Sequence, residues 1–219
     1  MTAIFVLALT GAKADPAWAG EEKASSLINE KLQEILKKGE VVIVEEPAVE
    51  RKQFVTAGIR IKASREEVWK LITNFNRYPE FFPEVETITV LKNEGNAWDV
   101  LHKLKSGMSV LPLRFNYTLR FVLEPPGRIT WSLIDGDLKY SDGSWELFPA
   151  EGGKETLAFY RISYNIVPKG FLVKTVVKYV SEKSPVFGVA ALSATALTVV
   201  KSVKDELEKK SEEKNHRNK

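Results

Sequence analysis

Cysteine is absent from the 219 residues. That removes disulfides, thiol nucleophiles, Fe–S clusters and zinc–thiolate sites together. Histidine is almost absent: His102 and His216 are the two in the chain. His216 stands in a charged tail, so neither a His-rich metal site nor two-histidine chemistry is expected, and no cofactor is implied. An excess of one charge is also lacking. Lys plus Arg number 32 against 29 Asp plus Glu, a net +3. No large field follows, and nucleic acid is not an expected partner. Long apolar runs are missing too: residues 3–12 (AIFVLALTGA) and the uncharged stretch 185–200 are both short of a bilayer span. What is present is a 44% hydrophobic, 10% aromatic chain, enough for a sizeable core and one domain with extensions.

The apolar run at the start is followed by two small-x-small sites, Ala12-Lys13-Ala14 and Ala17-Trp18-Ala19. That layout predicts a signal peptide over 1–19, although no Lys or Arg precedes the run. The expected location is then periplasmic or secreted. If the run is instead an N-terminal strand or helix, the location is cytoplasmic. Residues 20–39 read as a helical extension. Ala24, Leu27, Ile28, Leu32, Ile35 and Leu36 recur at helical spacing, and Gly39 stops them.

From residue 40 to 210 the pattern predicts one α+β domain. Val41–Val44 and Phe54–Ile61 read as strands. Ser64 with Glu67 forms a capping-box pattern before a short helix through Val68, Trp69, Leu71 and Ile72. Asn76–Pro83 is a turn-rich connector. About six antiparallel strands follow between Val85 and Val167 by apolar alternation. Within them Phe115, Tyr117, Leu119, Phe121 and Leu123 share one face, while Arg114, Asn116, Thr118 and Arg120 take the other. Asp135-Gly136 and Asp142-Gly143 read as loop punctuation. Phe171–Lys183 reads as a basic amphipathic helix, and Pro185 opens a long helix. The charged residues 211–219 read as a disordered tail. A curved antiparallel sheet with one long helix across it encloses a space.

Two stretches of wording carry a family resemblance. One runs Ile61-Lys62-Ala63-Ser64-Arg65-Glu66-Glu67-Val68-Trp69, then Leu71 to Phe75 and Asn76-Arg77-Tyr78-Pro79-Glu80-Phe81-Phe82-Pro83. The other comprises Glu124-Pro125-Pro126 with Arg128-Ile129-Thr130-Trp131, and Gly143-Ser144-Trp145-Glu146-Leu147-Phe148-Pro149. They resemble the START-like (SRPBCC) helix-grip superfamily, nearest its polyketide cyclase/dehydrase and coenzyme Q-binding branch. The resemblance implies a helix-grip fold, in which a curved antiparallel β-sheet wraps around a long C-terminal helix. It also implies an apolar ligand held between the two.

The expected pocket lining follows from the strand faces and the helix. Phe115, Tyr117, Trp131, Trp145, Tyr160 and Tyr164 sit at inward positions, where most such residues are plain core. His102 alternates with Trp98, Val100 and Leu104 and faces the same way. As an acid–base group it lacks a neighbouring nucleophile, so a hydrogen-bonded interior histidine is the expectation and no catalytic residue is assigned. On the final helix, Phe187, Ala191 and Thr195 complete the lining in a run of small residues that leaves volume beside the sheet. The expected function is binding, and transport, of a hydrophobic small molecule such as a lipid, quinone or sterol. The alternative is an aromatase/cyclase-type enzyme using the same space. The Phe171 helix and the apolar loop 107–112 suggest a pocket entrance in transient contact with a membrane surface.

Overall fold

The computed structural model describes residues 5–8, 30–105, 114–166 and 185–217. The signal-peptide cleavage region, the 107–112 loop and the Phe171–Lys183 helix expected from the sequence lie outside the described residues. Within them, β1 (Phe5–Ala8) precedes α1 (Glu30–Lys37), β2 (Val42–Glu45) and β3 (Val55–Ile61). Then come α2 (Arg65–Ile72), a 3-10 turn (Phe75–Arg77) and α3 (Tyr78–Phe81). Six strands follow: β4 (Val85–Glu94), β5 (Ala97–Lys105), β6 (Arg114–Glu124), β7 (Arg128–Gly136), β8 (Leu138–Ala150) and β9 (Glu155–Ile166). The chain closes on α4 (Pro185–Arg217).

The strands form one sheet in the order β1-β2-β3-β9-β8-β7-β6-β5-β4. From β2 to β4 every pairing is antiparallel, and β1 joins β2 in parallel with Phe5 beside Val42. This is the α+β helix-grip architecture, a curved antiparallel sheet gripping the long final helix.

Local chemistry sets the element ends. Gly39 adopts φ +75 after α1, the left-handed conformation that ends helices without a Cβ penalty. The capping box at α2 forms as the sequence predicts: Ser64 accepts from the Glu67 backbone, and the Glu67 carboxylate accepts from the Ser64 N–H at 2.8 Å. Tyr78 donates to the Ile72 carbonyl at 2.7 Å, which ties the connector back onto α2.

Two expectations are corrected. Asp142-Gly143 is not a loop: it lies inside β8, because a neighbouring ring needs the space a Cβ would take, as described below. The charged tail is helical as far as Arg217. Nothing beyond Gly188 breaks it, and Lys210 pairs with Glu206 one turn back at 2.7 Å.

The sheet has two differently packed faces. On the convex face α1 covers a small cluster of Leu36, Val42, Val44 and Phe159. On the concave face Val55, Ala57, Ile59 and Ile61 of β3 and Ala158 of β9 form one core with Leu192, Ala196, Val200 and Val203 of α4. A fully buried Ile or Leu there stabilises by about 1.5–3 kcal/mol, so this seam holds the helix to the sheet. The helix packs mainly over β2, β3 and β9, which leaves the concave face of β5–β7 to other side chains.

Candidate functional site

On β5 to β9 the concave face turns aromatic. Tyr160 stands between Trp145 and Trp131, with ring centroids 4.8 and 5.4 Å away. Trp131 leads to Phe121 at 5.9 Å, and Phe121 to Phe75 at 4.6 Å and His102 at 5.8 Å. His102 lies flat on Tyr117, 5.2 Å away and tilted by 9°. The strand register explains the row, since His102 is opposite Tyr117 and Trp145 opposite Tyr160. Gly143, opposite Trp131, supplies the clearance: a Cβ there would come 2.1 Å from Cζ2 of the Trp131 ring and 2.4 Å from the Arg161 carbonyl.

Hydroxyls gather along the same row. Tyr164 and Thr195 of α4 share a hydrogen bond of 3.0 Å. Burial pushes up the pKa of Tyr117, Tyr160 and Tyr164. Tyr160 is raised further by Tyr117, Tyr78 and Tyr164, and Tyr117 by Tyr164, so these hydroxyls feel one another. Tyr117 is half-buried on this concave face.

His102 is 5% exposed. Its Nδ1 lies 3.1 Å from the Val100 carbonyl. A carbonyl only accepts, so Nδ1 carries the proton and Nε2 is left as an acceptor. Burial lowers the His102 pKa to about 4, against a smaller opposing effect of the backbone bond. The ring is therefore neutral at ordinary pH. That suits hydrogen bonding in an apolar space better than proton transfer near neutrality.

Charges are kept on the other face. Arg120 makes two 2.8 Å bonds to Asp99, Arg114 reaches Glu86 at 3.2 Å, and Arg161 grips Glu46 while lying 3.5 Å over the Phe54 ring. Among the described residues, the inward positions of β5–β9 that carry the aromatic row hold no charged side chain. Nor do the described residues contain a cluster of His, Asp and Glu able to hold a metal, or a helix long and apolar enough to cross a membrane.

The structure thus brings together His102, Tyr117, Trp131, Trp145, Tyr160, Tyr164 and Thr195. Phe115 is half-buried on the same face of β6 as Tyr117. Ala191 is exposed. It lies one turn nearer the helix start than Thr195, beside the buried stripe Leu192–Ala196–Val200. The Phe187 side chain lies outside the described residues. Three rings were missing from the expected lining. Phe121 stands on the predicted inward face of β6, and Trp98 on that of β5, where it reaches Phe75 at 5.7 Å. Phe75 enters from the 3-10 turn, which carries no periodicity to read.

The fold has known counterparts. A family model described as polyketide cyclase / dehydrase and lipid transport matches residues 61–206. No curated protein matches the chain in sequence. Among solved structures, the Zhui aromatase/cyclase from Streptomyces sp. R1128 is similar at 14% identity and TM-score 0.56, covering 73% of this chain and 96% of that one. A STAR-related lipid transfer protein from Xanthomonas axonopodis is similar at 14% identity and TM-score 0.56, covering 77% and 93%. A START superfamily protein from Mycobacterium smegmatis is similar at 15% identity and TM-score 0.52, covering 71% and 97%. At such identities the likeness establishes the fold.

Proposed function

This chain belongs to the polyketide cyclase / dehydrase and lipid transport family, and we propose that it binds a hydrophobic small molecule between sheet and helix and carries it. One observation supports this most. The helix packs over β2, β3 and β9, while the face beyond it is an aromatic row with half-buried Tyr117 and no charged side chain among the described residues. A face of that kind is apolar with a few convergent polar groups, the make-up of a small-molecule pocket. The driving force is burial, on the order of 25 cal/mol per Å² of apolar ligand surface. The lipid-transfer protein named above supports the reading by its shape and by the activity in its name. A quinone, a sterol or another lipid fits the chemistry.

The signal-peptide pattern of residues 1–19 would place the protein outside the cytoplasm, whereas strand β1 inside that run, paired with β2, favours the alternative of an N-terminal strand that stays with the domain. Segments 107–112 and 171–183 would meet the membrane when ligand is exchanged. That statement rests on sequence alone.

Native mass spectrometry of the protein purified without detergent, followed by organic extraction, tests the proposal. A retained apolar molecule of defined mass is the expected result. A protein that comes out empty and takes up no added quinone, sterol or fatty acid overturns it. A protein that chemically alters the polyketide-like chain it takes up moves the assignment to an aromatase/cyclase.

A further inference from the structure

The polar groups along the aromatic row are all neutral, and they differ in role. His102 Nε2 can only accept, because Nδ1–H is committed to the Val100 carbonyl. The Tyr117 and Tyr160 hydroxyls are bound to none of the described residues by a hydrogen bond, and each stands within electrostatic reach of Tyr164. A tyrosine hydroxyl donates readily. Acceptor and donor are thus set side by side at His102 and Tyr117, whose rings stack, with the Tyr160 hydroxyl further along the row. Among the described residues no arginine or lysine stands in the row to meet an anion, and Arg114, Arg120 and Arg161 are committed to carboxylates on the convex face.

We propose that the ligand is an uncharged molecule bearing a hydroxyl group, which donates its proton to His102 Nε2 and accepts from the Tyr117 hydroxyl. This rests on the binding reading above and narrows it. A hydroxyl is the small group that satisfies an acceptor and a donor at one atom. An ether or ester oxygen leaves His102 Nε2 without a donor from the ligand, and a carboxylate brings a charge that none of the described residues of the row compensates. Such an anion enters only as its neutral acid.

The test uses the full chain and three ligands of equal length: a long-chain primary alcohol, its methyl ether and the matching carboxylate. Each competes with the neutral fluorophore phenylnaphthylamine near neutral pH. The alcohol is expected to bind tightest. The ether should bind about tenfold more weakly, the factor for one unmade hydrogen bond to a buried partner. The carboxylate should bind on the order of a hundredfold more weakly, the cost of protonating it near neutrality. Equal affinity for alcohol and ether overturns the role of His102. Equal affinity for alcohol and carboxylate overturns the uncharged ligand. Both outcomes leave the binding reading standing, because a ligand is bound in each. Failure of every ligand and of the fluorophore overturns both readings.

His102→Phe should lower the alcohol to the level of the ether and leave the ether unchanged. His102→Gln, which keeps a neutral acceptor, should restore part of the difference. An alcohol preference that survives His102→Phe in a folded variant also overturns the proposal. If that variant does not fold, the three ligands on the unaltered protein decide alone.

Discussion

The concave face of the sheet is built in two halves that use burial differently. Under α4, β3 and β9 present Val55, Ala57, Ile59, Ile61 and Ala158 to Leu192, Ala196, Val200 and Val203. These are small or branched aliphatic groups without polar atoms, and they interdigitate tightly. Beyond the helix, His102, Tyr117, Trp131, Trp145 and Tyr160 present rings with polar tips. A designer seeking stability alone would fill such a face with aliphatic side chains rather than with hydroxyls and ring nitrogens. The contrast teaches a division of labour: the aliphatic half fixes the helix, and the aromatic half is kept polar enough to hold something else.

The largest effect should come from damaging the aliphatic half. Ile59 is 1% exposed and sits opposite Ala158. Ile59→Ala should cost about 2–5 kcal/mol of stability through lost burial and a residual cavity. Ligand affinity per folded molecule should stay unchanged, which urea unfolding and ligand titration would measure together. A loss of affinity equal to the loss of stability would erase the distinction between the halves.

The aromatic half should instead show its character in pH dependence. The His102 pKa falls from 6.5 to about 4 in the folded protein. Between those values the unfolded chain binds more protons than the folded one, so stability rises with pH across the window. The contribution is intact above about pH 6.5 and is lost as the pH falls toward 4. At 1.36 kcal/mol per unit the loss is roughly 3 kcal/mol. The groups that face the ring are Tyr117, Phe121 and, by register, Ile88, none of which is charged in that window. Urea midpoints measured from pH 7 to 4 should therefore fall more steeply for the unaltered protein than for His102→Gln. Parallel curves would mean that His102 is solvated.

Gly143 tests the aromatic half by geometry. Gly143→Ala drives a Cβ into the Trp131 ring and the Arg161 carbonyl. The ring can tilt but the backbone cannot, so about 1–3 kcal/mol of stability should be lost. Displacement of Trp131 should also change its fluorescence and lower ligand affinity, which Ile59→Ala does not do. An affinity that survives would take Trp131 out of the lining.

This glycine also marks the limit of what the sequence made legible. The strand faces could be read because a period of two with one buried face leaves a clear alternation, as from Phe115 to Leu123. The capping box at Ser64 and the outward arginines were legible for the same local reason. Asp142-Gly143 misled because Asp-Gly is a turn signal, whereas here the glycine answers a contact with a ring eleven or more residues away in sequence. Phe75 was invisible as lining because its turn is aimed by the Tyr78–Ile72 hydrogen bond, a tertiary contact. The place where α4 crosses the sheet, and hence the exposure of Ala191, is set by packing of the whole helix. No single stretch of chain encodes it.

The smallest effect lies at the seam between the halves. Tyr164 belongs to the aromatic row, yet its hydroxyl is bonded to Thr195 on the helix. Tyr164→Phe deletes that bond and keeps the ring. The stability cost should be about 1 kcal/mol or less, since Tyr164 is half-buried and Thr195 can turn to water. The kinetics carry more information. If a ligand enters by parting the helix from β9, the bond must break first, and uptake should be faster in the variant, by up to about fivefold for a bond of that strength. Stopped-flow fluorescence with phenylnaphthylamine reads this directly. An unchanged uptake rate would mean that the seam stays closed during loading and that ligands arrive from the β4–β6 side. The two halves would then be separate in motion as well as in composition.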